Sequence, residues 1–216
     1  MIFWLTYFIL FIFIGIFAPF KVYGKKNIDK KQNYIIVCNH KSNFDAILID
    51  MVFSKRNIYL AKIELFKNKF AGFFFKKFGG IGFDRKKGLS LTQTKVVYNL
   101  INKNHNIGIF PEGTRKDDFY ENDDVKGGAC FFAIKTRTPI IPCFIAKKHR
   151  LFRKNAILVG KPFEFTEFYD KSLDKDTLFK AELILKNNIL ELKNEYENYL
   201  NEKKVLKKLV KERSKK

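Results

Sequence analysis

At 216 residues the chain holds one well-packed domain with an appended segment and is too short for two full domains. Its 42 lysines and arginines against 22 acidic residues leave a formal charge of +20, which predicts an anionic partner such as nucleic acid, an anionic membrane or an acidic carrier. Cys38, Cys130 and Cys143 are widely spaced, with no CxxC pair and no histidine at metal-ligand spacing, so neither a disulfide framework nor a zinc site follows. Each lies in an apolar neighbourhood and reads as a small buried hydrophobe in a reducing compartment, although Cys38, two residues from His40, remains a candidate nucleophile.

The first predicted element is the uncharged run from Ile2 to Phe20, "IFWLTYFILFIFIGIFAPF". As a helix rising about 1.5 Å per residue it reaches roughly 28 Å, close to the hydrocarbon thickness of a bilayer. The basic residues follow the run, at Lys21, Lys25 and Lys26, the order that keeps the remaining chain in the cytoplasm. A signal peptide would carry them ahead of it. Gly15 and Pro19 leave open a bent segment resting in one leaflet.

Beyond this segment, short β-branched runs alternate with helical stretches, the pattern of an α/β domain. Strands are predicted over Tyr34–Cys38, Ile58–Ala61, Ile107–Phe110, Ile140–Ile145 and Ala156–Val159. Helices are predicted over Ala46–Phe53, Leu89–Asn102 and Lys126–Thr136. "DDFYENDD" at 117–124 reads as an acidic, exposed loop. From Leu178 onward, apolar residues at Ala181, Leu185, Ile189, Leu192, Tyr196 and Tyr199 mark an amphipathic helix, which ends in the basic tail "KKVLKKLVKERSKK". The chain thus divides into an N-terminal membrane-associated helix (1–24), an α/β domain (25–170) and a C-terminal amphipathic helix with basic tail (171–216).

Two strand ends carry polar motifs. In "CNHKSNFD", positions 38–45, residues five apart would diverge by roughly 140° on one helix. With Ser42 as the N-cap of a helix beginning at Asn43, however, His40 lies before the cap and Asp45 in the first turn, and the two side chains can meet. Asp45 then either orients His40 as a general base or folds back onto the cap as a capping box, and these residues alone leave both readings open. The second motif, "IFPEGTRK" at 109–116, ends a strand at Pro111, turns at Gly113 and presents Thr114 and Arg115 where α/β sheets bind ligands. Arg115 suits a bidentate grip on phosphate, or a surface pair with Glu112. Lys62, Glu64, Asp84 and Arg85 also end apolar runs, and Arg85 offers a second phosphate contact.

The ordered set "NHKSNFD", "AKIEL", "GFDR", "FPEGTR" and "TPIIP" resembles the 1-acylglycerol-3-phosphate O-acyltransferase family over about residues 34–145. The resemblance implies a mixed α/β sheet flanked by helices, often with N-terminal membrane-associated helices, and joins the N-terminal apolar membrane helix and C-terminal amphipathic basic helix already read from the residues. It implies His40 as the base that deprotonates an acceptor hydroxyl and Asp45 as its orienter. The acceptor's phosphate falls to Glu112, Gly113, Thr114 and Arg115, with Arg85 and Lys62 assisting. The implied partners are a lysophospholipid acceptor, acyl-CoA or acyl-carrier protein as donor substrate, and an anionic membrane surface. No metal or organic cofactor is implied, and the expected location is the cell membrane with the catalytic domain on its cytoplasmic side. Gly82 stands where the family carries a bulky aliphatic residue, and Lys116 where a serine often follows the arginine. The rival enzymatic reading is acylation of another lysolipid or hydroxyl acceptor. A non-catalytic membrane scaffold would make His40 dispensable, and a nucleic-acid binder lacks an RNP1 signature or any other recognised module.

Overall fold

The computed structural model describes residues 12–13, 15–16, 19–53, 55–67, 72–73, 76, 79–83, 91–117, 119, 125–150 and 152–213, without the side chains of 206 and 208–213. Seven strands form one sheet in the order β1-β7-β6-β2-β5-β3-β4. They are β1 (Phe20–Tyr23), β2 (Ile35–Cys38), β3 (Asn57–Lys62), β4 (Gly80–Phe83), β5 (Asn106–Ile109), β6 (Ile140–Ile145) and β7 (Asn155–Val159). From β6 across to β4 every pairing is parallel; β7 runs antiparallel to β6, and β1 follows β7. The carboxyl ends of β2, β3, β4, β5 and β6 therefore share one edge, and β7 and β1 begin there.

Burial on both faces explains the unbroken apolar strands. Ile35 and Val37 join Ile107, Ile140, Phe144 and Leu158 in a core covered by α2 (Leu91–Asn102), α3 (Gly128–Thr136) and α4 (Lys175–Arg213). Ile36 and Cys38 face the other way, with Ile141, Cys143 and Ile157, under α1 (Asp45–Val52). α4 is integral to the first core, through Ala181, Leu185, Ile189 and Leu192. The predicted mixed sheet flanked by helices is thus found.

Several differences have local causes. β1 takes Phe20–Tyr23 from the segment read as the N-terminal apolar helix, because Phe20 and Val22 pack on the second core. That segment otherwise lies mostly outside the described residues. Among the described residues no helix is long and apolar enough to cross a membrane. β4 is built on the glycines of "GGIGF", where Phe66 and Ile63 lie 3.1 and 3.3 Å from a β-carbon added at Gly82 and fill the space a larger residue would take. Within the acidic loop Phe119 is fully buried, and its carbonyl accepts from Lys193 Nζ of α4 at 2.8 Å; most of the loop lies outside the described residues.

Candidate active site

The strand β2 delivers "NHK" to the carboxyl edge, and the first residue there is structural. Asn39 is buried; its Nδ2 donates to the Ile145 carbonyl at 3.0 Å and its Oδ1 accepts from the Ile145 amide at 2.7 Å, fastening the end of β2 to the end of β6. α1 starts at Asp45, two residues later than the sequence spacing suggests. Ser42 is not its N-cap: the Ser42 hydroxyl accepts from the Phe44 amide at 3.0 Å, and Asn43 and Phe44 form a turn before the helix.

Asp45, fully buried, gathers three donors on one oxygen. Its Oδ2 accepts from the Lys41 amide at 2.6 Å, the Ser42 amide at 2.7 Å and His40 Nδ1 at 2.9 Å. One carboxylate oxygen therefore holds both the turn and the imidazole. The amides make Oδ2 an acceptor, so Nδ1 is the donor in the contact with His40, and Nε2 is the ring nitrogen that this contact leaves unused. The His40 ring stacks on Phe110 at 4.2 Å between centroids, and Phe110 on Tyr59 at 6.0 Å, which fixes the imidazole plane.

The loop after β5 is tied to this turn at three points. The His40 amide donates to Glu112 Oε1 at 3.0 Å, the Lys116 amide to the His40 carbonyl at 2.8 Å, and Arg115 Nη1 to Asn43 Oδ1 at 2.6 Å. Glu112 is buried and committed to the histidine loop, so it does not pair with Arg115; the guanidinium meets a neutral amide and keeps its full charge toward solvent. Gly113 supplies the left-handed turn, with φ 71°. Thr114 is exposed beside it. Lys41, Ser42, Asn43, Phe44, Arg115, Lys116, Asp117, Lys148 and His149 line a cavity of about 480 Å³ at this junction.

His40, Asp45, Glu112, Gly113, Thr114 and Arg115 thus come together. Lys62 ends β3 on the same edge but beyond β5, and does not line this cavity. Arg85 lies outside the described residues. Burial pushes the Cys38 thiol well above its ordinary pKa, with neighbouring Cys143 and the acids Asp45 and Glu112 adding to the rise, which disfavours the thiolate a nucleophile needs. The backbone amides of Lys41, Ser42, Phe44, Asp45 and Gly113 all already donate within the protein, and none is free for an oxyanion. Sequence reasoning missed Asn39, whose strand-end position was its only signal, and His149, a lone histidine in a basic loop.

Fold and site together define an enzyme of the α/β class, with its chemistry at the carboxyl ends of parallel strands. Residues 19–146 match the family Acyltransferase. The chain is 31% identical over 181 residues to the 1-acyl-sn-glycerol-3-phosphate acyltransferase of Bacillus subtilis, covering 81% of this chain and 88% of that one. It is 32% identical over 137 residues to the enzyme of the same name from Borreliella burgdorferi, covering 63% and 54%. The crystal structure of the 1-acyl-sn-glycerophosphate acyltransferase PlsC from Thermotoga maritima shares the fold, with a TM-score of 0.58 and 23% identity over 87% of this chain and 77% of that one. The chain belongs to the acyltransferase family, within its 1-acyl-sn-glycerol-3-phosphate acyltransferase group.

Proposed function

We propose that the protein transfers an acyl group from an acyl thioester to the sn-2 hydroxyl of 1-acylglycerol-3-phosphate, giving phosphatidic acid, with His40 as general base and Asp45 as its orienter. The observation that carries this reading is the 2.9 Å contact of His40 Nδ1 with Asp45 Oδ2, beside an arginine that has no carboxylate partner among the described residues. His40 Nε2 takes the hydroxyl proton while the oxygen attacks the thioester carbonyl. The tetrahedral intermediate then expels the thiolate, which recovers the proton from the imidazolium, leaving an ester and a free thiol. A secondary hydroxyl is a poor nucleophile, and a positioned imidazole supplies about 10²- to 10⁴-fold. The buried Asp45 charge stabilises the imidazolium between the two proton transfers. Direct transfer is favoured because Cys38, the cysteine nearest His40 in sequence, is buried, which pushes its thiol well above the ordinary pKa.

Arg115 binds the acceptor's phosphate, with Glu112, Gly113 and Thr114 shaping its loop and Arg85 and Lys62 assisting. The donor is acyl-CoA or acyl-carrier protein, and the chemistry of these residues calls for no metal or organic cofactor. The apolar N-terminal segment and the charge of +20 hold the catalytic domain at the anionic, cytoplasmic face of the cell membrane. In support, β1 enters the sheet at the site's own edge, where Phe20 pairs with Asn155.

Detergent-purified protein given lysophosphatidic acid with acyl-CoA or acyl-carrier protein tests the proposal. Activity is expected to collapse in His40→Ala, to fall strongly in Asp45→Asn, and in Arg115→Ala to lose apparent affinity for the phosphorylated acceptor. Unchanged turnover in His40→Ala refutes the general-base role.

A further inference from the structure

His149 follows β6 in the basic loop "KKHRLFRKN" and lies only 9% exposed, against the cavity that Arg115 enters. Neither ring nitrogen has a hydrogen-bond partner among the described residues. Burying an imidazole without partners forfeits its hydration and returns nothing, so such a group points to a ligand that supplies the missing bond. The neighbouring Phe44 ring, 6.3 Å away, offers no acceptor.

The charges around it select the ligand. From the loop after β2 comes Lys41, from the start of α1 Asp45, from the loop after β5 Arg115, Lys116 and Asp117, and from its own loop Lys148. Asp117 is met by Lys148 at 3.5 Å, and Asp45 by the three donors already described, so the excess is cationic. An anion fits, and a metal ion does not.

We propose that His149 is a phosphate-binding residue of the acceptor site, donating from its ring to the phosphate that Arg115 grips from the other wall of the cavity. This rests on the proposed acylation of a phosphorylated acceptor and adds to it a specificity-determining residue. Burial lowers the pKa of His149, against a smaller opposing pull from Asp45, so the ring is neutral in the free protein near pH 7. A phosphate dianion entering the cavity favours the imidazolium, and binding therefore takes up a proton.

Two measurements on the full chain in detergent test this. In His149→Gln, the KM for lysophosphatidic acid is expected to rise roughly 10- to 100-fold, the worth of one hydrogen bond to a charged group, with kcat within about threefold. A fall in kcat with KM unchanged overturns the assignment, because a residue serving only the fold or the chemical step behaves that way. In the NMR of ¹⁵N-histidine-labelled protein, the His149 titration midpoint is expected to move up when glycerol 3-phosphate is added and to stay in place with glycerol. A midpoint indifferent to the phosphate refutes the proposal even if acyl transfer is intact. A midpoint that responds in a protein unable to acylate any acceptor upholds the site and refutes the acyl-transfer reading instead.

Discussion

Asp45 serves the fold and the chemistry through one oxygen, and substitutions there separate the two roles. Asp45→Asn retains an oxygen that can accept from the Lys41 and Ser42 amides, but loses the charge facing His40. Asp45→Ala leaves both buried amides without an acceptor, which costs about 2–5 kcal/mol by general experience with unsatisfied buried donors. The expected order of stability in denaturant titrations is therefore wild type, then Asp45→Asn, then Asp45→Ala, with acyl transfer low in both variants. Equal midpoints for Asp45→Ala and wild type would mean the carboxylate does not hold the turn. Cys38 makes the contrasting case: it lies in the second core with its thiol protonated. Cys38→Ala is expected to keep acyl transfer within a few-fold, and an acyl-thioester trapped on Cys38 would contradict direct transfer.

The elements owe their relative positions to a few clamps that join strand ends. Asn39 bonds both backbone groups of Ile145, and Asn155 repeats the device, its Oδ1 accepting from the Lys147 amide at 3.0 Å and its Nδ2 donating to the Lys147 carbonyl at 2.7 Å. Asn39→Ala removes two buried bonds and is expected to cost roughly 2–4 kcal/mol in chemical denaturation. It also frees the loop carrying His149, so KM for the phosphorylated acceptor should rise more than kcat falls. An Asn39→Ala protein with wild-type stability and KM would show that the clamp does not set the site. Of the five strands legible in the sequence, β2, β6 and β7 are buried along their whole length, β5 in all but its last residue and β3 over its first half, which is why their apolar runs show. β1 was hidden inside a longer apolar run, and β4 behind glycines that suggest a loop. Proximity in sequence made His40 and Asp45 readable as a pair, and the company of the second motif made Arg115 readable. Asn39 and His149 act through β6, a partner strand that only the sheet order brings beside β2.

At the scale of the whole molecule, one edge of the sheet gathers the candidate site and a cluster of cations. The loops of the candidate site leave by it, β1 begins there, and so does the hairpin joining β6 to β7. In that hairpin Lys147, Lys148, Arg150, Arg153 and Lys154 surround a cavity of about 500 Å³, and Phe152, 78% exposed with φ 60°, projects beside them. An exposed aromatic among cations suits the boundary between headgroups and acyl chains. The full chain is therefore expected to bind vesicles by two contributions, one apolar from the N-terminal segment and one electrostatic from this edge. A shortened chain without residues 1–18 keeps β1, whereas removal through residue 24 would take a strand from the sheet. The shortened chain should bind anionic vesicles but not neutral ones, and release them as salt shortens the screening length from about 10 Å at 0.1 M to about 3 Å at 1 M. Replacing Lys147, Arg150, Arg153 and Lys154 by glutamine in that chain should weaken binding at low salt by about fivefold for each cation that touches the surface. Vesicle flotation at two salt concentrations separates the contributions. Binding that ignores both salt and these four substitutions would place the lipid-facing surface elsewhere, away from the site.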